Sequence, residues 1–418
     1  MARSAPMSWQ SARSGRQSKR WITIFSAADC RSIDLRADFG VCCTSDERPA
    51  LPQTAFHRFH LEHGGVMADV AGWEMPLHYG SPVEEHQRVR EYGGIFDVSH
   101  LSRVRVSGRH ARRLLEHVLT RYVSDMDTHT CRHALVCNEA GGVIDDVLVF
   151  RFEEHWLLTG DAANRARLIE HLHAHTGAWT VNIADQTEST AMVAIQGPGM
   201  MTFISKFSSE VPTLDRLAFT VKNLLVLKMT VSRTGITGED GIELMLPTGM
   251  VGMALKLLFR DTGDGAAPVL PCGMIARDML RVEAGLPACG AELTEQTDPL
   301  SAGLDEAVSL GKDENDSVDR PFIGQAALQG LAATVPSQRC VGLKVEGEAS
   351  PVVGGAVSLG GDQIGRISSA CLSPTLGSAI AMGFVDAAHA ETGTTVSVIA
   401  DGATVDAQIV KRPFYERG

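Results

Sequence analysis

Hydrophobic and polar positions follow two periods along this chain, and the change between them divides it. From about Thr54 to Pro321, helical and alternating stretches are mixed. Ala55 to Gly64 reads as a short helix. Ser81-Pro82 supplies a cap and a proline at the first helical position, and the helix it opens stops at Gly93-Gly94. Phe96 to Val106 alternates apolar and polar residues and predicts one half-buried strand. Gly108 to Leu119 has the pattern of a basic amphipathic helix. A meander is predicted over Cys131–Cys137, Val143–Phe152 and Trp156–Leu158, followed by a helix from Ala162 to His175. Strands recur at Ala191–Ile195, Leu224–Ser232 and Ile242–Leu246. Helices are predicted over Met250–Arg260 and Gly273–Ala284, separated by a loop at Gly263–Ala267 and closed by Gly285 as a cap. Beyond Pro321 the pattern becomes short β segments between Gly and Asp turns, which suggests a separate antiparallel barrel or sandwich.

Composition narrows the function. The 418 residues are 44% hydrophobic, enough for substantial cores in two or three domains. A formal net charge of −12 argues against a nucleic-acid backbone as the main partner, because phosphate binding needs clustered Lys and Arg. No apolar run approaches the ~18 residues of a membrane span. Nine cysteines with no Cys-x-x-Cys pair indicate neither a disulfide framework nor a zinc site, and fit a reducing compartment. Residues 1–28 contain basic residues, Ser and Ala but no Asp or Glu. That is the make-up of an organellar transit peptide, and equally of a disordered leader. Residues 1–50 are expected to lie outside the folded body.

Three stretches could carry chemistry. In Asn138-Glu-Ala-Gly-Gly-Val-Ile-Asp-Asp146, a paired-glycine turn delivers two carboxylates onto the start of a strand. Alternation sends Asp145 and Asp146 to opposite faces, so one can face solvent while the other enters a pocket. Ser232-Arg-Thr-Gly-Ile-Thr-Gly-Glu-Asp-Gly-Ile-Glu243 is glycine-rich but acidic, a poor phosphate site. It suits a ligand rich in N–H donors, such as an amino-pyrimidinone ring, since a carboxylate can accept two parallel hydrogen bonds; a plain hairpin is the alternative. Arg277 and Arg281 stand one helical turn apart, able to hold an anionic tail or to bridge carboxylates across a seam. The histidines show no recognised metal-ligand spacing.

Taken together, these stretches resemble the aminomethyltransferase (T protein) of the glycine cleavage system. The resemblance also rests on Ala71-Gly-Trp-Glu-Met-Pro76, Phe96-Asp-Val-Ser-His100, Gln196-Gly-Pro198, Ala276-Arg-Asp278, Arg281-Val-Glu-Ala284, Ser373-Pro-Thr-Leu-Gly377 and Lys411-Arg-Pro-Phe-Tyr415, in the family's order. It implies an α+β fold in a three-domain, cloverleaf-like arrangement with antiparallel sheets. Residues 51–320 would form two interleaved α+β domains that bind folate, and 321–418 a C-terminal β-barrel. It implies transfer of the one-carbon unit from the aminomethyl-lipoyl arm of H protein to tetrahydrofolate, with release of ammonia, in glycine catabolism. The partners would be lipoylated H protein and folate, with no metal, and the location the mitochondrial matrix. By family position Asp146 is the catalytic carboxylate, Glu243 holds the pteridine ring and Arg277 lies at the folate site. A carboxylate beside an amine nucleophile can orient it, accept its proton and stabilise developing positive charge.

The sequence departs from the family at His133 and Ile236, where Tyr is usual, and at Asp161, where Asn is usual. Leu286 and Cys289 replace aromatics found in some members. Two other functions fit the same scaffold: a folate-dependent demethylase of a small sulfonium or amine, and a non-catalytic folate-binding protein. Retention of Asp146 argues for catalysis.

Overall fold

A computed structural model describes residues 50–417 except 225–226, 260–268, 312–320, 335 and 348. The leader expected over residues 1–50 and the loop expected over Gly263–Ala267 therefore lie outside the described residues, Ala50 apart. The described part is a mixed helix and sheet protein with antiparallel sheets and a closed barrel.

A five-stranded sheet orders Cys131–Cys137, Val143–Arg151, His155–Gly160, Ser102–Ser107 and Asn182–Asp185, every pair antiparallel. Its outer face carries Val104, Val106, Val147 and Val149, which bury against Leu114, Leu115, Leu168 and Leu172 of helices Ala111–Val118 and Arg165–Ala174. A six-stranded sheet orders Phe219–Leu224, Leu227–Ser232, Gly241–Pro247, Thr190–Gln196, Gly94–Asp97 and Leu270–Pro271, the last pair parallel. Its outer face (Val193, Ile195, Ile242, Leu244, Leu246) packs on helices Met200–Ser205 and Val251–Leu258. The inner faces of the two sheets meet in a third core built on Phe150, Leu157, Met192, Phe219 and Met245, closed by Ala276 and Leu280 of helix Met274–Glu283.

The single strand expected over Phe96–Val106 is two. Gly94–Asp97 belongs to the six-stranded sheet and Ser102–Ser107 to the five-stranded one. Asp97 ends the first: its Oδ1 accepts from the Ser99 N–H at 2.9 Å, a turn that unbroken alternation conceals. The five-stranded sheet is thus built wholly from residues 102–185, inserted between two adjacent strands of the other sheet. Arg103 pins both crossings. Its buried guanidinium donates to Ser99 O (2.9 Å), Leu101 O (2.6 Å), Thr187 O, Thr190 O (3.0 Å) and Thr190 Oγ1 (2.7 Å). The strand expected over Leu224–Ser232 is likewise a hairpin, Phe219–Leu224 with Leu227–Ser232. A further hairpin, Val66–Val70 with Trp73–His78, has no counterpart in the sequence reading.

The C-terminal strands close into a six-stranded barrel, resolving the choice between barrel and sandwich. Glu283, the last residue of helix Met274–Glu283, joins the barrel to the body. Its buried carboxylate receives Arg90 Nε (3.0 Å) and Nη2 (2.7 Å), Ser373 Oγ and Thr375 Oγ1 (3.0 Å), with the His86 ring 2.9 Å away. Arg281 makes a second tie, to Asp278 Oδ1, Glu292 and Ser369 Oγ.

At the other end, the Glu74 N–H donates to Pro52 O at 2.9 Å and Thr54 Oγ1 donates to Asp97 at 2.6 Å. A chain shortened to begin at Leu51 keeps these anchors. It should match the full chain in Tm and turnover; a fall of several degrees would show that residues 1–50 pack on the body.

Candidate active site

The site forms where the two inner sheet faces end. The turn that brings in the carboxylates is specified by its sequence. Asn138 Oδ1 accepts from the N–H groups of Ala140 and Gly142, both at 3.0 Å. Gly141 has φ +86°, and a Cβ on Gly142 would lie 1.8 Å from the Glu295 carbonyl oxygen, so neither glycine can be replaced without moving the turn.

Along Val143–Arg151, Asp146, Leu148 and Phe150 share the inner face, whereas Val147 and Val149 face the helices. Asp146 stands at the open end, 28% exposed, with Oδ1 2.5 Å from His133 Nε2. Burial works against the His133 imidazolium, but the Asp146 carboxylate outweighs it and holds the ring above its ordinary pKa.

Asp145 does not face solvent. It is fully buried, and Oδ1 accepts from Asn164 Nδ2 (3.0 Å), the Asp146 N–H (3.0 Å) and the Asp161 N–H (3.2 Å), with Cys289 Sγ at 3.7 Å. Its Oδ2 has no partner among the described residues and lies against Gly160, where a Cβ would approach it to 2.3 Å. Burial pushes Asp145 up to about 8, so it is mainly protonated at neutral pH. Alternation does place the two carboxylates on opposite faces, but the loop Asp161–Asn164 and Cys289 cover the Asp145 face, so it is not open to solvent.

Asp161 accepts from the Ala163 N–H at 2.8 Å; burial raises its pKa, and Arg277 partly offsets this. On the opposite sheet Glu243 is buried on the same inner face as Met245. Thr234 Oγ1 donates to its Oε2 at 2.6 Å, and Ser232 Oγ backs Thr234 at 2.7 Å. Burial raises the Glu243 pKa against the pull of Thr234 and Arg277. Arg277 is held below its ordinary value by burial, while Glu243, Asp278 and Asp161 favour its charge. The arginine pair therefore splits, with Arg277 among the site carboxylates and Arg281 in the barrel seam. Ile236 is half-buried on the loop between Gly235 and Thr237; Thr237 Oγ1 donates to Gln196 Oε1 at 3.0 Å.

Sequence reasoning missed Thr234, Asn164 and His100 as site residues. His100 is buried, and burial with neighbouring Arg277 pushes it down to about 3, so its ring is neutral. Thr234 and His100 lie inside quoted motifs; Asn164, three residues after Asp161, gives no signal of its own. Glu239, by contrast, is bound to Arg90 at 2.9 Å and belongs to the barrel seam. Among the described residues no group of three or more His, Cys, Asp or Glu is arranged for a metal ion.

Fold and site define an α+β protein with a C-terminal barrel and a cluster of carboxylates around Arg277 between two sheets. The GCVT N-terminal domain family matches residues 56–312, and the glycine cleavage T-protein C-terminal barrel domain matches 338–416. The chain is 37% identical to an aminomethyltransferase of Streptomyces coelicolor over 88% of this chain and 98% of that one. It is 38% identical to one of Rubrobacter xylanophilus over 88% and 96%. The crystal structure of glycine cleavage system aminomethyltransferase T from Bartonella henselae superposes with a TM-score of 0.79 at 27% identity, over 88% of this chain and 99% of that one.

The chain belongs to the aminomethyltransferase, or T-protein, family of the glycine cleavage system. It is an enzyme of that transferase class, and such enzymes use tetrahydrofolate as co-substrate. The relatives named are bacterial and the family matches begin at residue 56, so they lend no support to an organellar leader in residues 1–28.

Proposed function

We propose that this chain takes the one-carbon unit from the aminomethyl-lipoyl arm of H protein and passes it to tetrahydrofolate, with release of ammonia. One observation carries the reading: Asp146 and Glu243 stand on facing sheets with Arg277 and Asp161 between them, one carboxylate half-exposed and the other buried. The donor set fits an N–H-rich ring. A buried carboxylate with one oxygen taken by Thr234 retains acceptor capacity that a pteridine edge can fill. Glu243 and Arg277 would hold the ring, with Ile236 and His133 flanking it. Asp146 would orient the attacking amine and accept its proton, and His133 fixes the carboxylate's direction.

Glu243→Gln tests the ring assignment. The variant keeps the shape but removes the charge and replaces one acceptor with a donor, so tetrahydrofolate should bind ~10–100-fold more weakly. Glu239→Gln, which alters the Arg90 seam instead, should change binding little. Dissociation constants decide it: an unaffected Glu243 variant beside a crippled Glu239 variant means the ring carboxylate is misassigned.

A further inference from the structure

At the end away from Asp146 and Glu243, the layer between the sheets opens into a cavity lined by arginine and lysine as well as glutamate. On strand Val143–Arg151 the inner-face row runs from Asp146 through Leu148 and Phe150, and beyond the strand's end reaches Phe152. Six residues of extended chain span roughly 20 Å. On the facing sheet, Glu243 is followed on the same face by Met245, and the strand ends at Pro247. Buried Phe150 and Phe219, with ring centroids 5.5 Å apart, fill the layer between the two ends.

At the far end lies a cavity of ≈ 590 Å³, within the range of small-molecule sites. Its walls are apolar, with Phe152, Val221, Met229 and Met245 among them. Its charged groups are three cations, Arg103, Arg105 and Lys228, and two glutamates, Glu153 and Glu154. Arg105 enters from the five-stranded sheet, its neighbours Val104 and Val106 facing the helices, and Lys228 comes from the six-stranded one. The Arg105 Nε is buried and has no hydrogen-bond partner among the described residues. Arg103 also lines the cavity but is already engaged by carbonyl groups. The His155 ring stacks on Phe152 with centroids 4.3 Å apart. Burial and the cations Arg105, Lys228 and Arg151 push it down to about 4, so it adds no positive charge at neutral pH. His129 also lines the cavity, as do the exposed Glu153 and Glu154.

We propose that this cavity is a binding site, separate from the transfer site, for a small carboxylate with an apolar body, held by Arg105 and Lys228. An unpaired guanidinium nitrogen in an apolar cavity is costly unless an anion meets it. The chain's net charge of −12 makes the convergence of Arg105 and Lys228 from two sheets on one apolar cavity a local construction rather than a product of composition. The two glutamates disfavour multiply charged anions and so select a single carboxylate. The apolar walls and the Phe152–His155 stack accept an aliphatic or aromatic body.

Calorimetric titration of the full chain with phenylbutyrate and with its uncharged counterpart phenylbutanol tests this. Phenylbutyrate should bind saturably, with the alcohol ~10–100-fold weaker, the range of a charge-assisted hydrogen bond. Arg105→Gln should weaken the acid at least ~10-fold and leave the alcohol unchanged. Lys228→Gln, at an exposed position, gives the same direction should the Arg105 variant fold poorly. Tetrahydrofolate affinity should be the same in all three proteins and unaltered by phenylbutyrate. Four results overturn the proposal: no saturable binding, equal binding of acid and alcohol, acid binding that both variants leave intact, or competition between the acid and tetrahydrofolate. The last would place the acid in the transfer site instead.

Discussion

Asp146→Asn should fold normally and lose ~10²–10⁴-fold in turnover, the usual range of a general acid–base group. Asparagine keeps the shape and the contact with His133 but cannot take a proton from an attacking amine. Tetrahydrofolate affinity should fall far less than turnover, because the carboxylate acts on the reacting nitrogen rather than on the ring. Asp145→Asn is the control. Asp145 is mainly protonated at neutral pH, so the amide replaces a neutral carboxyl and should keep most of the activity. Its stability relative to the native chain carries a sign. A folded-state pKa of about 8, well above the ordinary carboxyl value, makes the contribution of Asp145 greatest at low pH and loses it as pH rises through 8. The balance should therefore move in favour of Asp145→Asn between pH ~4 and 8. Equal loss of turnover in the two variants would refute the assignment of one reacting carboxylate.

Glu283→Gln should cost ~3–5 kcal/mol of stability, as expected when one partner of a buried ion pair is removed. Arg90 would remain buried beside an amide, and the contacts from Ser373 and Thr375 would lose their charge assistance. Burial alone would raise the Glu283 pKa, but His86, Ser373 and Arg90 reverse that and hold it down at about 2. A depressed carboxylate stabilises fully above its unfolded value of ~4.3 and loses that contribution as pH falls towards 2. The gap in Tm between the native chain and the variant should be roughly 5 °C near neutrality and should close below pH ~4. A gap that stays constant down to pH 3 would show that Glu283 acts by packing rather than by charge.

The sequence made local structure legible wherever one residue type has one use. Ser81-Pro82 caps its helix, with Ser81 Oγ accepting from the Glu84 N–H at 3.3 Å. The paired glycines make the turn before Asp145, and the meander Cys131–Cys137, Val143–Arg151 follows the expected bounds closely. What alternation could not reveal is which sheet a strand joins. Phe96–Val106 reads as one element because the period is unbroken while the partner changes. Alternation places Asp145 and Asp146 on opposite faces, but only the path of the Asp161–Asn164 loop and of Cys289 determines that the Asp145 face is not open water. The cavity at the far end was equally hidden, since Arg105 and Lys228 lie more than a hundred residues apart in the chain.

The inserted sheet has a consequence for how such a protein can be recombined. Residues 98–189 leave and re-enter the host sheet at neighbouring strands, so they form one contiguous block whose exchange must also match the host residues packed on its inner face and on the turn before Asp145. The block carries Asp146, His133 and Asp161, whereas Glu243 and Arg277 stay with the host. The group that reacts and the group that recognises the ring can thus be inherited from different parents. A chimera that keeps Arg103 with its acceptors on both sides, Ser99 and Thr190, preserves the joint between them.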